Sequence, residues 1–406
     1  MQRLTYSHTR AASYIGYVTQ AIMNNLAPLL FLTFQRQFSV SLSSLALLIT
    51  MNFTIQLLVD LAAARFVDRI GYRRVAVAAH IMCTVGLLGL GILPSVMVNP
   101  YTGIMIAMAV NAAGGGLIEV IISPIVEAIP GDRKAASMSI LHSFYCWGYV
   151  AVVALSTLYF TLFGTTRWQW LPMAWALVPF FNIFFFAKVP LRTLIEESSS
   201  PIPLRKLFTK KTFILLSVMM VCAGASEQAM SQWASLFAEA GLKVPKTMGD
   251  LLGPCLFAVL MGLSRVFFGT KQRALKLETL LLISGIACVT AYGIAVFAPH
   301  PILALAGCGL CGLSVGMMWP GTFSLASRQY PRGGTAMFAM LALAGDVGCA
   351  AGPGLVGLIM NNKTLKIGLL TAVIFPVVLT AAVTMLKKSA GKGSEQQGMG
   401  GADRRA

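Results

Sequence analysis

Two carboxylates, Glu119 and Glu127, stand inside the run Gly114-Gly115-Gly116-Leu117-Ile118-Glu119-Val120-Ile121-Ile122-Ser123-Pro124-Ile125-Val126-Glu127-Ala128-Ile129-Pro130, an apolar stretch long enough to cross a bilayer. An acidic side chain near the middle of a membrane helix costs on the order of 3 kcal/mol on insertion scales, so it faces a bundle interior or a water-filled path and marks an ion or substrate route. Glu119 lies about ten residues from one end of its span, roughly 15 Å deep at about 1.5 Å per residue, and His142 lies at similar depth in the next span. A carboxyl at that depth is disfavoured when charged, which suits a group that loads and unloads a proton. Glu119 therefore reads either as a proton or substrate site or as a structural hydrogen-bonding group, with His142 as its partner. Of 14 Asp and Glu residues, Asp60, Glu227 and Asp346 also stand within apolar runs. Asp346, between Gly345 and Gly348, reads equally as a coupling residue and as a buried hydrogen-bond partner. Glu127, one turn from Arg133 and Lys134, reads as an ion pair at an inner gate, and Asp60, some two turns from Asp68, reads the same way. Arg265 either snorkels to the surface or pairs with an acid.

Uncharged amides recur at helical spacing. Gln20 and Asn24, Asn52 and Gln56, and Gln228 and Gln232 are each four apart, so each pair forms one polar stripe. The last pair stands beside Glu227 and Trp233. Amides with two donors and an acceptor, plus an aromatic plate, are what a neutral polyhydroxylated ligand needs, and Trp147 and Trp319 are further candidates for such a lining. The alternative is that the amides only join helices, at about 0.6 kcal/mol each. Trp168 and Trp170 read as interfacial anchors.

The positions that carry these groups must be membrane helices. At 57% hydrophobic and 11% charged residues over 406 positions, the chain has too few polar groups to cover a soluble globule. Its net charge of +17 comes from 31 Lys and Arg residues that fall mostly between apolar runs, the pattern of topology signals and lipid contacts and not of nucleic-acid binding. All eight cysteines fall within apolar runs, and Cys308-x-x-Cys311, the one pair with metal-like spacing, reads as packing. Four His residues, no nucleophile-and-base arrangement and no attached soluble domain give no ground for an enzyme, a metal or a cofactor. The first apolar run has no cleavage site and reads as a retained helix.

About twelve runs of roughly 20 apolar residues meet the length of a bilayer core. They lie near 11–33, 43–66, 74–96, 101–129, 135–163, 169–188, 212–238, 249–269, 279–298, 301–327, 335–359 and 365–387. The backbone has no other way to satisfy its hydrogen bonds in lipid, so each is helical, and the fold class is all-α integral membrane. The bias of Lys and Arg places both termini in the cytoplasm of a bacterial-type inner membrane. The polar segment 189–211 divides an N-terminal half, 1–188, from a C-terminal half, 212–387, and the Gly/Ser/Gln-rich tail 388–406 reads as disordered. Echoes about 200 residues apart, Gly71 with Gly269, Pro130 with Pro331 and Gly148 with Gly348, support two pseudo-symmetric six-helix halves with a site between them.

The chain resembles the major facilitator superfamily over nearly its whole length. Ala64-Arg65-Phe66-Val67-Asp68-Arg69-Ile70-Gly71-Tyr72-Arg73-Arg74 is similar to that superfamily's Gly-x-x-x-Asp-Arg-x-Gly-Arg-Arg between helices 2 and 3, with Ala64 and Tyr72 as departures. The resemblance implies an inner gate at Asp68, Arg69, Gly71 and Arg73, joined by Asp60, Glu127, Arg133 and Arg265 and latched in the outward-facing state. Within the superfamily, the acid in helix 4, the run Gly224 to Trp233 and Gly249-Asp250-Leu251 ahead of Arg265 resemble fucose/glucose/galactose proton symporters. Those are expected to carry an acid on helix 1, where this chain has Asn24 and Asn25.

The expected function is proton-coupled symport of a small polar solute, foremost a monosaccharide, by alternating access in a monomer surrounded by lipid. Glu119, His142 and Asp346 would handle the proton; Gln20, Asn24, Asn52, Gln56, Glu119, Trp147, Glu227, Gln228, Gln232, Trp233 and Trp319 would face the solute. A proton-driven exporter of drugs or metabolites is the alternative, for which 23 Phe and 21 Met residues could supply an adaptable cavity. A non-transporting receptor is a third reading.

Overall fold

The computed structural model describes residues 4–130, 134–192, 208–271, 276–330, 334–360 and 364–402. Most of the segment between the halves lies outside the described residues, as do Arg133 and the side chains of Asp68 and Glu127, so the gate reading of those three rests on sequence alone.

Twelve helices among the described residues are long and apolar enough to cross a membrane: α1 Tyr6–Phe38, α2 Leu42–Ala63, α3 Tyr72–Val96, α4 Pro100–Val126, α5 Ile140–Phe163, α6 Trp170–Lys188, α7 Lys211–Gly241, α8 Lys246–Phe268, α9 Leu277–Phe297, α10 Pro301–Gln329, α11 Met340–Met360 and α12 Leu365–Lys388. Each coincides with a run predicted from hydropathy. An even number of crossings leaves both chain ends on one face, here the terminal face, with the other face distal to it.

Pairings recur at an offset of six helices. The contact of α3 with α4 is matched by α9 with α10, that of α1 with α5 by α7 with α11, and that of α2 with α11 by α8 with α5. The last two are the seams between the halves. At the distal end of the first seam, Gly354 and Gly357 of α11 bring its backbone against Thr50 and Ala46 of α2.

Several helices change pitch where the site lies. Pro28 opens a tight turn over Ala27–Leu30 in α1, while α7 ends and α8 begins in wide π turns at Phe237–Gly241 and Leu251–Cys255. Such turns expose backbone carbonyls that a regular helix would bind internally. The helix that contains α12 continues to Ala402, where composition predicts a disordered tail; the membrane-anchored turns supply the nucleus that short isolated helices lack.

Between α2 and α3, Gly71 has φ +93°, a region open to glycine and strained for other residues. Arg73, which the resemblance assigns to the inner gate, donates to the carbonyls of Phe186, Ala187 and Val189 at 2.7–2.9 Å. A cation on the last carbonyls of a helix is a favourable cap, and here it ties α3 to α6 within one half. Arg69 is exposed on the terminal face.

Candidate functional site

The polar groups of α1, α2 and α4 form a ladder. Gln20 Nε2 donates to Glu119 at 2.7 Å and to Gln56 Oε1 at 3.3 Å. Gln56 and Asn52 in turn donate to Asn24 Oδ1 at 2.9 and 3.3 Å. Helical spacing of four lines these amides up, and Gly116, one turn before Glu119, lets α4 lie on the backbone of Gln56. All four amides are buried, while Gln20 Oε1 and Asn52 Oδ1 find no partner among the described residues. Buried acceptors of this kind are uncommon and are free to receive a ligand hydroxyl or a water.

The C-terminal half meets this ladder through α7. Gln232 Nε2 donates across the halves to the Asn24 carbonyl at 3.0 Å and to Gln228 Oε1 at 3.1 Å. Two tyrosines of α5 stand beside the group: Tyr145 accepts from Asn25 Nδ2 at 3.4 Å, and Tyr149 is buried one turn further on. Sequence reasoning missed both tyrosines, although their spacing of four on the face that carries Cys146 was a usable signal.

Arg265 is not a surface group. Its guanidinium lies 3.1 Å from Glu227 and 3.4 Å from the Cys146 sulfur, so one ion pair on α7 and α8 also touches α5 of the other half. His142 does not partner Glu119; its ring packs edge-on to Tyr17 of α1, and Tyr17 bonds Ser123 of α4. The His142 side chain is nevertheless exposed.

Asp60 lies on α2, about three turns before Gly71. Its Oδ1 is buried and has no hydrogen-bond partner among the described residues. Trp319 of α10 covers Gly345, next to Asp346 on α11.

Two predicted lining residues lie elsewhere. Trp147 is 42% exposed and shares a stripe of α5 with exposed Ile140, Leu155 and Leu158, which directs it to lipid; its neighbour Cys146 takes the inward face. Trp233 is fully buried, donates to the Pro353 carbonyl at 3.1 Å and packs against Phe31, so it ties α7 to α11 and α1 near the distal end.

A second polar cluster, unforeseen from sequence, closes the distal side. Lys246 lies 2.9 Å from Glu239 and 3.1 Å from Asp250, donates to the Leu29 carbonyl at 2.8 Å and stands over the Phe160 ring. Asp250 is fully buried and also accepts from Ser235 and from Thr157 of the opposite half. The π turns and the Pro28 break supply the geometry, which hydropathy does not reveal. A surface cavity of about 390 Å³, lined by Arg36, Gln37, Thr165 and Glu239 among others, lies just beyond it.

Among the described residues no group of three or more His, Cys, Asp and Glu could hold a metal ion. Cys308 and Cys311 are both fully buried, and Cys311 meets Cys288, sulfur to sulfur, at 3.9 Å.

The family model described as Major Facilitator Superfamily matches residues 13–353. No match is found among curated proteins. Among solved structures, a D-xylose-proton symporter is similar at TM-score 0.78 and 12% identity, over 93% of this chain and 96% of that one. A bacterial homologue of the human lysosomal transporter Spinster, inward-facing and occupied, is similar at TM-score 0.74 and 13% identity, over 96% and 98%. The fucose:proton symporter of E. coli is similar at TM-score 0.64 and 13% identity, over 93% and 98%. At these identities the likeness establishes the fold.

Proposed function

The chain belongs to the Major Facilitator Superfamily, and we propose that it is a secondary active transporter that carries a small polar solute, most simply a monosaccharide, together with protons. The observation that carries this reading is the bond from Gln20 to Glu119 at 2.7 Å, inside an amide ladder that faces Gln232 of the other half. Glu119 has an amide and no cation as its hydrogen-bond partner among the described residues, so a proton is the natural counterion when the site is emptied into lipid depth. Hydroxyls of the solute would exchange for the amide-to-amide bonds as the halves part. Two similar structures are named as proton symporters of xylose and fucose, which agrees with this solute class.

The contacts of Lys246, Asp250 and Thr157 close the distal side. With the Lys and Arg bias placing the termini in the cytoplasm, this is an inward-facing arrangement of a monomer, and the Arg73 cap belongs to the half itself. Asp60, Glu119, Glu227 and Asp346 outnumber Arg265, which favours one second reading, the export of a cationic solute in exchange for protons.

Uptake of labelled sugars into proteoliposomes with an inside-alkaline gradient tests the proposal. Accumulation that a protonophore abolishes supports it. Sugar-independent, proton-driven movement of a lipophilic cation decides for export.

A further inference from the structure

We propose that Asn52 of α2 and Asn111 of α4 hold one buried water molecule, through which α4 supports the distal end of the amide ladder. The two residues line one small cavity between α1, α2, α3 and α4. About 10 Å³ of it is open to the centre of a water molecule, and one water needs about 10–15 Å³ by that measure. Asn52 and Asn111 are each only 4% exposed, and the Oδ1 of each finds no partner among the described residues. Orphaned acceptors at such burial are uncommon, and two that share a cavity of this size call for one donor between them. A water molecule bridges two polar groups of this kind nearly as well as a direct bond would.

The walls decide what the occupant is. Ile22, Leu26, Leu87 and Leu90 close the cavity with hydrocarbon, and among the described residues no carboxylate or cation lines it. A purely apolar pocket of this size would stay dry, whereas two amides make it a polar site. A hard metal cation takes about six or more oxygen ligands, a shell that two uncharged amides do not replace. Water also suits either end of an amide, because it both donates and accepts.

Packing brings both amides to the cavity. Gly86 of α3 leaves room for the Asn111 side chain, since a Cβ there would meet Asn111 Oδ1 and its backbone nitrogen. Asn52 is held from its other end, where Nδ2 donates to Asn24 Oδ1 at 3.3 Å and leaves Oδ1 for the water. Pro28 has no N–H to give the Asn24 carbonyl, which accepts instead from Gln232 of the other half at 3.0 Å. A chain of bonds thus runs from Asn111 through the water, Asn52 and Asn24 to Gln232. Helix α4 braces the ladder at two depths, directly through Glu119 and by way of the water through Asn111. Asn111 is therefore a positioning residue, which acts on Asn52. Neither the solute nor the proton enters this argument, so the water site and the symport reading fail separately.

X-ray radiolytic labelling of the full-length protein in liposomes, read by mass spectrometry, tests the site, because hydroxyl radicals made from a bound water oxidise the side chains beside it. Met23 and Met108 line the cavity and are each 5% exposed, which shields them from bulk water. Both should be oxidised in the wild type, with Met248, 37% exposed, as the reference for bulk water. In Asn111→Leu, which keeps the shape and removes the polar atoms, labelling of Met23 and Met108 should fall to background while that of Met248 is unchanged. Asn111→Ser, whose hydroxyl can still meet the water, should restore it. Background labelling of Met23 and Met108 in the wild type overturns the proposal without any variant, so a failure of Asn111→Leu to fold does not protect it. Labelling that Asn111→Leu leaves at the wild-type level overturns it too. Exchange of sodium for choline in the buffer should leave the labelling and the Tm as they are. A Tm that rises with sodium chloride in the wild type but not in Asn111→Ser would assign the cavity to a cation and overturn the water.

Discussion

Lys246 and Asp250, one helical turn apart at the start of α8, form an ion pair at 3.1 Å in which the carboxylate is fully buried. Through Glu239, Ser235, Thr157 and the Leu29 carbonyl the same pair reaches α7, α5 and α1. It fastens the distal ends of both halves at one point.

Removing that cation should open the distal side. Lys246→Met leaves two carboxylates without their counter-charge, a loss of about 3–5 kcal/mol for a broken buried pair. The expected result is a lower Tm and faster distal labelling of a cysteine placed at Thr161. Asp250→Asn, which keeps acceptors for Ser235 and Thr157, should cost less than Lys246→Met; equal costs would show that charge is not what holds the cluster.

The pair of Arg265 and Glu227 should behave as a unit. Arg265→Ala strands the buried Glu227 carboxylate and should destabilise by about 3–5 kcal/mol, whereas Arg265→Met/Glu227→Met should recover much of that stability without restoring transport. Thermal melts and uptake on the same preparations separate the two effects; a double variant no more stable than Arg265→Ala contradicts the coupling.

Gln20→Leu removes the amide that serves Glu119 and Gln56. A hydrogen bond to a charged group contributes about 1.5–3 kcal/mol, so the KM for uptake should rise by roughly 10–150-fold. Gln20→Glu would add a like charge beside Glu119, which keeps one of the two acids neutral up to a higher pH, and should shift the uptake optimum upward. An unchanged KM in Gln20→Leu would leave the amides as helix joiners only.

Gly348→Ala should loosen the α7 and α11 contact, because a methyl group there meets the Val221 carbonyl and the Ala225 backbone. Overpacking of this kind costs about 1–3 kcal/mol. A melt of the purified variant checks it, and a stability equal to wild type would mean that α11 can shift without loss.

The twelve spans and the family were legible because the bilayer imposes length and apolarity on every crossing, and because the Asp68 to Arg74 turn carries its own residue pattern. The amide stripes were legible as well: Gln20, Asn24, Asn52 and Gln56 show a spacing of four whatever lies opposite. What lies opposite was not. Periodicity gives a face and no azimuth, so Trp147 read as a lining residue although it stands on an exposed face of its helix. The Lys246 cluster escaped for a related reason. Its geometry depends on π turns and on a Pro28 break, and in sequence Lys246 is one more loop lysine.

The central claim is that Glu119 couples a proton to solute movement. Solute counterflow and proton-driven accumulation, measured on the same Glu119→Gln proteoliposomes, test it most directly. The account predicts that counterflow persists, since the amides still bind solute and the halves still rock, while accumulation against a gradient disappears. Accumulation at the wild-type level in Glu119→Gln would contradict it.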